Sequence, residues 1–565
     1  MVITGPAWEP VLAGYPDVGG AALIAIAVGV YLGETGLRDW RRVVLIGILL
    51  AAAAVFRRPF AYTSVAFLAS IGLHQAILAV AGAHRSFRSG VIALAIRESR
   101  VALVGAVCLA SLWIFGRGFL ESVAGTDFGE LYAAYRLPAS EVLAYFLAFF
   151  GPLAWLLALG GLIAVWRSPS ADRTKVGFLP ILGAVTLASW AILAGQVNVH
   201  YTLQMTMVVL VGIALLVHAL FLRLRGNAAR GTAMAGVAVL ALLNMTMTLQ
   251  PAILSAPAAL APLLPTSQGP LVRGDLDELY RLVDGLRTQA PHRPIFVVAS
   301  SFVFNEEILS HAEIQRYGPD AALLDVLPEP AVDSRDAYPL SGIDLADVVV
   351  LADPAQYHMA PDQQRVVAVA HDAFDQEWDI AHDFQRQPGI YRLQDGVAVT
   401  VFQRVRPSSV LGTRRTLARF EEFVGGVPGT QPDWVVVNAY QSDASLVRNG
   451  DGTDTISARP APAGAATPTV LLYGGPSAAS VSGLLSFEDS ACPGVTLRLT
   501  QYDAGGAALS EQNASRRSTD ASEFRMDLSG PPADFLTLEL DGFDAASDVR
   551  ACRVTLGSVR VTPGP

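Results

Sequence analysis

The sequence predicts a polytopic α-helical membrane domain of about eight helices, followed by an exterior α/β domain and a C-terminal β-sandwich of jelly-roll type. Three observations predict it. Apolar residues concentrate in the first half of a 565-residue chain that is 52% hydrophobic and 16% charged, with a mean hydropathy of +0.41, too apolar for an ordinary soluble protein. Basic residues fall in every second connection between the apolar runs. Beyond Leu249 long apolar runs give way to helix-strand alternation and then to short β-like runs. The expected domains are 1–250, 270–406 and 411–565.

The expected spans run near Gly20 to Gly33, Val43 to Phe56, Ala61 to Ala83, Val101 to Phe115, Val142 to Trp166, Val176 to Ala194, Leu203 to Leu222 and Gly231 to Leu249. Arg38, Arg41 and Arg42, then Arg85, Arg88, Arg97 and Arg100, then Arg167, Arg173 and Lys175, then Arg223, Arg225 and Arg230 mark the cytoplasmic connections. The alternate connections are acidic or nearly neutral, as in Gly116 to Glu141. They face outward, as does everything after Leu249. Met1 to Gly19 has no basic leader or early apolar core, so no cleavable signal is expected and the first helix inserts with its acidic tail outside.

One cation pair breaks the alternation. Arg57 and Arg58 fall on the outer face and form a candidate anion site, because guanidinium forks match phosphate oxygens and the lipid headgroup zone supplies phosphates. Simple snorkelling to headgroups is the competing explanation. Gln196 to Tyr201 forms another outer connection at the same level, so His200 and Tyr201 either line one cavity with the arginines or belong to an interfacial belt. Asp17 and Glu9 are the carboxylates just before the first membrane helix. Such a group acts as general base, as a ligand to a divalent cation, or only as a helix cap. His74, inside the third helix, reads as a helix-helix hydrogen-bonding residue.

In the exterior α/β domain, Asp275 to Gln289, Asn305 to Ile314 and Pro361 to His371 read as helices. Pro294 to Ser300, Asp347 to Leu351, Gly389 to Leu393 and Val397 to Val405 read as strands of a mainly parallel sheet with an antiparallel end. Ser300, Ser301, Asp353 and His358 follow strand ends, where α/β folds place ligands, without a nucleophile-elbow sequence. The remainder shows no helix period. Its β-like runs are Trp434 to Val437, Thr469 to Tyr473, Val495 to Tyr502, Phe535 to Leu540 and Val554 to Val561. Cys492 and Cys552 are candidates to pair across the sandwich in an oxidising exterior, while Cys108 stands alone in a membrane helix. Trp434, Tyr440 and Tyr473 are either glycan-facing or core.

A net charge of -10 argues against nucleic acid as a partner. No C-x-x-C pair, HExxH or Walker-type loop occurs, so any chemistry draws its energy from an already activated substrate.

Gly14-Tyr15-Pro16-Asp17, Arg57-Arg58-Pro59-Phe60-Ala61-Tyr62, Asn198-Val199-His200-Tyr201 and Asp395-Gly396-Val397-Ala398-Val399-Thr400-Val401-Phe402, in that order, resemble bacterial GT-C superfamily glycosyltransferases. The likeness is to the branch of protein O-mannosyltransferases and lipid A aminoarabinose transferases, over about Trp8 to Arg406. It implies an integral membrane enzyme of the bacterial inner membrane that takes a sugar from a polyprenyl-phosphate carrier and inverts it onto a glycan, lipid or protein acceptor on the outer face. Arg57, Arg58, His200 and Tyr201 would bind substrate, and Asp17 would act as base or order a divalent cation. The family's key acid lies in a first outer loop after a first membrane helix. Neither is found before Trp8, so Met1 is an internal start, or Asp17 does different work, or the chain is a non-catalytic, membrane-anchored component of envelope polysaccharide assembly. A transporter is the third reading, with few polar groups near the bilayer midplane to serve it.

Overall fold

In a computed structural model of the chain, the described residues are 16–82, 87–168, 173–249, 261–265, 273–424, 434–439, 444–449, 451–460, 469–473, 478–488, 492, 494–517, 522–528, 533–542 and 553–563. The chain divides into two compact units, residues 1–128 with 135–272 and residues 129–134 with 273–565.

The first unit is helical. Its elements are α1 (Asp17–Gly33), α2 (Trp40–Phe56), α3 (Phe60–Gly82), α4 (Phe87–Phe115), α5 (Arg117–Gly125), α6 (Ala139–Phe150), α7 (Pro152–Trp166), α8 (Arg173–Ser189), α9 (Leu203–Arg223) and α10 (Asn227–Leu249). Within the described residues the predicted apolar runs fall on helix, interrupted at Gly151, but the expected count of about eight spans is not confirmed. Among the described residues three helical stretches, Phe60–Ala81, Arg173–Ala194 and Val199–Arg223, are long and apolar enough to cross a membrane, or up to five if each bent pair is one span.

The run expected as one span over Val142 to Trp166 is two helices bent by 86°. Gly151 sits between them at φ +76, where a side chain would be strained and its Cβ would lie 2.6 Å from the Leu264 carbonyl carbon. Pro152 then opens α7. A second bend of 98° separates α4 from α5. Both α1 and α2 have 17 residues, at the short limit for a span.

Among the described residues the second unit holds three sheets. Strands β1 (Pro294–Val298), β2 (Asp325–Val326), β3 (Val348–Asp353), β4 (Phe384–Arg386), β5 (Tyr391–Arg392) and β6 (Ala398–Arg404) form the first, in order β2-β1-β3-β6-β4 with β5 beside β6. The β1 strand is parallel to β2 and β3, and β6 is antiparallel to β3, β4 and β5. Both β1 and β3 are buried nearly throughout, which is why they read as unbroken apolar runs rather than alternating ones. Helices α11 (Leu276–Gln289), α12 (Glu306–Tyr317), α13 (Leu340–Leu345) and α14 (Arg365–Asp375) accompany this sheet. Asn305 caps α12, its side chain accepting the Ile308 N–H at 2.8 Å. Residues Gly129–Ala134 belong to this unit, where Ser334 Oγ donates to the Leu131 carbonyl at 3.1 Å.

Helix α15 (Val410–Val424) overturns the expectation of no helix after Leu411. Thr413, Thr416, Leu417, Phe420 and Val424 form its buried stripe, a helical period hidden among Arg and Glu residues. Two five-stranded antiparallel sheets follow: β7 (Trp434–Val437), β8 (Ser445–Arg448), β9 (Asp454–Ala458), β10 (Thr469–Tyr473), β11 (Ala478–Phe487), β12 (Gly494–Tyr502), β13 (Ala508–Arg517), β14 (Ser522–Asp527), β15 (Phe535–Gly542) and β16 (Val554–Pro563). Their orders are β13-β12-β15-β10-β7 and β14-β11-β16-β9-β8. Val436, Leu471, Leu497 and Leu538 of one sheet share a core with Ile456, Val481, Leu485 and Leu556 of the other.

Candidate functional site

The membrane-side site begins with two glycines. A Cβ at Gly19 would lie 2.5 Å from the Phe56 ring and one at Gly20 2.5 Å from Phe60, so α1 packs tightly against the α2-α3 corner. That corner is Arg57-Arg58-Pro59. Arg57 leaves α2 in extended conformation, and the carbonyls of Arg57 and Arg58 accept the N–H groups of Phe60 and Ala61 at 2.9 Å each, which starts α3.

This packing brings Asp17, in the first turn of α1, to Arg57. The carboxylate Oδ2 lies 2.8 Å from the guanidinium Nε, with the Asp17 side chain fully buried and that of Arg57 29% exposed. Among the described residues neither carboxylate oxygen has an aligned hydrogen bond. A buried carboxylate held by charge alone is poorly compensated for its lost hydration.

His200 joins them from a short 3-10 turn, Val199–Thr202, and interacts electrostatically with both Asp17 and Arg57. Its ring is edge-on to Tyr201 at 4.2 Å, and Tyr201 stacks on Trp190 at 4.8 Å. Trp190 Nε1 donates to Gln204 Oε1 at 2.5 Å, an oxygen that also accepts from Thr63 Oγ1. Trp190 opens a π-helical turn, Trp190–Ala194, closed by Gly195 at φ 62.

Thus the structure brings Asp17, Arg57, His200 and Tyr201 together and turns the exposed Arg58 elsewhere, its guanidinium 4.1 Å above the Phe128 ring. Trp190, Gln204, Thr63 and Tyr62, whose ring lies 5.8 Å from Trp190, are additions that sequence reasoning missed. Polar atoms inside otherwise apolar helices were the available signal. Glu9 lies outside the described residues. Among the described residues no three His, Cys, Asp or Glu side chains converge to hold a metal ion, and Asp17 alone does not make a cation site.

His74 accepts or donates at 2.6 Å to Tyr31, with Gln75 donating to the same hydroxyl at 2.8 Å. It forms a buried helix-helix network, the role the sequence suggested.

In the second unit Ser300 and His358 meet: Ser300 Oγ lies 2.9 Å from His358 Nδ1, and Gln364 Nε2 lies 3.0 Å from the same atom. No carboxylate among the described residues hydrogen-bonds the His358 ring, so the arrangement is not a triad. Burial pushes the His358 pKa below its ordinary value. Asp353 is exposed, 3.9 Å from His371.

Trp434 is 1% exposed in the sandwich core, with Tyr473 packed on it at 5.3 Å, so Trp434 faces no glycan. Tyr440 lies outside the described residues. Cys492 is buried and disulfide-bonded, Cys552 lies outside the described residues, and Cys108 is free.

No family profile matches the chain, and no curated protein does. Among solved structures, the arabinofuranosyltransferase AftD from mycobacteria matches over 99% of this chain and 52% of its own, at 11% identity and a TM-score of 0.29. An arabinose-bound GH51 α-L-arabinofuranosidase matches over 23% of each chain, at 14% identity and 0.18. A CBM4 structure matches over 23% of this chain and 88% of its own, at 15% and 0.16. The chain spans about half of the transferase and about a quarter of the arabinofuranosidase.

Proposed function

We propose that the chain is a membrane glycosyltransferase that moves a sugar from a polyprenyl-phosphate carrier to an envelope acceptor on the outer face of the bacterial inner membrane, with its α/β and β-sandwich regions outside. The observation that carries this reading is the buried Asp17–Arg57 pair with His200 beside it. An intramembrane or interfacial ion pair is costly, and its retention marks a functional site by default.

The pair is read as a resting state. A phosphate entering the corner competes with Asp17 for the Arg57 guanidinium, and Arg58, exposed one residue away, adds a second positive charge. As Arg57 turns to phosphate, Asp17 loses its counter-ion and its carboxylate is free to accept a proton. The carboxylate then takes the proton of the acceptor hydroxyl as its oxygen bonds to the anomeric carbon. The bond from that carbon to the phosphate oxygen breaks, and its electron pair leaves on the phosphate, where the arginines hold the charge. One displacement inverts the sugar carbon.

Binding of a short-chain polyprenyl monophosphate to the full chain in nanodiscs tests the first step. Arg57→Ala and Arg58→Ala should each weaken it about tenfold, in keeping with loss of one charge-assisted hydrogen bond. Unchanged binding in both would leave the pair a structural lock and favour a non-catalytic, membrane-anchored component.

A further inference from the structure

The first sheet of the second unit changes direction between β1 and β3. From β1 the chain goes first to β2 on one side and then to β3 on the other, and ligands of open α/β sheets bind outside the carboxyl ends at such a point. Here the two strand ends are tied together. Ser300 N–H donates to the Gln356 carbonyl at 3.0 Å, and Ser301 Oγ donates to Gln356 Oε1 at 2.8 Å.

The same Ser301 hydroxyl accepts the N–H groups of Val303 and Phe304 at 3.0 and 3.2 Å. This turn buries Phe304 completely and leaves Phe302 70% exposed. An aromatic ring presented by a pinned turn is a platform rather than a loose side chain.

His358 is also set. Its Nδ1 is engaged by the Ser300 carbonyl at 3.0 Å, the Ser300 hydroxyl at 2.9 Å and Gln364 Nε2 at 3.0 Å, which fixes the ring. Nε2 has no hydrogen-bond partner among the described residues. Gln364 holds the loop by accepting the His358 and Met359 N–H groups at 2.8 Å each and donating to the Ala331 carbonyl at 2.6 Å. Asp353, at the end of β3, adds an exposed carboxylate.

We propose that the carboxyl ends of β1 and β3 form a saccharide-binding subsite, in which Phe302 stacks on the apolar face of a sugar ring, Asp353 accepts a hydrogen bond from one of its hydroxyls, and His358 Nε2 hydrogen-bonds another. A sugar hydroxyl both donates and accepts, so a neutral polyol suits the Asp353 carboxylate and the unengaged His358 Nε2. An anion is disfavoured: Glu306, Glu329 and Asp336 are neighbours, and Arg335 is committed to Asp336 at 2.7 and 2.8 Å. Glu329 lies behind the strand end, its Oε2 accepting the Ala299 N–H at 3.3 Å and its Oε1 unpaired among the described residues. The subsite stands whether or not the membrane-side site transfers sugar.

The test uses the full chain in nanodiscs and methyl glycosides of neutral pentoses and hexoses, read by saturation-transfer NMR and titration. At least one glycoside should bind, Phe302→Ala and His358→Ala should each weaken it about tenfold, and Phe302→Trp should retain it. Binding that survives both alanine variants, or no binding of any glycoside tested, would overturn the proposal.

Discussion

Asp17 and Arg57 meet at 2.8 Å between the start of α1 and the end of α2, and their burial is unequal, 0% against 29% exposed. Arg57→Ala strands a sealed carboxylate and should cost about 3–5 kcal/mol of stability. Asp17→Asn leaves a cation that still reaches solvent and should cost about 1–2 kcal/mol. Thermal unfolding of both variants in one detergent measures the difference. Equal losses would contradict the unequal burial.

Helices α7 and α9 approach so closely that a Cβ on Gly161 would lie 1.9 Å from the Gly212 carbonyl oxygen. Gly161→Ala should therefore lose about 1–3 kcal/mol through overpacking. A Cβ at Gly160 meets nothing within 4 Å, so Gly160→Ala should be neutral or slightly stabilising. Unfolding midpoints that fall equally in both would show that helix-helix contact is not the cause.

Asp344 on α13 is fully buried, and that burial, only partly opposed by the Arg404 guanidinium and reinforced by Asp383, raises its pKa to about 7. The native state thus holds a proton that the unfolded chain releases near the ordinary aspartate value of about 4. Stability from this group is full below that value, falls as pH rises towards about 7, and changes little beyond. Amide exchange in α13 and in β7, which packs against it, should quicken across this window. Asp344→Asn should abolish that pH dependence, and a variant that keeps it would assign the titration to another group.

Much of the second unit was legible in the sequence because its elements carry one period each. The strands Pro294–Val298 and Val348–Asp353 are continuous apolar runs, and α11 buries Leu279, Leu282, Val283 and Leu286 at helical spacing. The edge strands were not legible: β13, Ala508–Arg517, has no fully buried residue and so no apolar signal. The broken pair α6-α7 was hidden because composition does not report direction, and only the positive φ of Gly151 marks the turn.

At the candidate site, outward charge picked out Arg57 and Asp17, but the glycines that allow their meeting carry no charge pattern. Nor did the sequence distinguish Arg58, over the Phe128 ring, from its neighbour. Trp190 and Gln204 sit in runs that look uniformly apolar or interfacial, so their hydrogen bond was invisible before packing.

The proposed sugar transfer turns on Asp17 as its base. The most direct measurement is transfer from a polyprenyl-phosphate-linked sugar to an envelope glycan acceptor by the full chain and by Asp17→Asn in proteoliposomes, with unfolding midpoints recorded beside it. The Asp17→Asn chain should fold and transfer more slowly by about 10²–10⁴. A folded Asp17→Asn chain that transfers at the parent rate would contradict it.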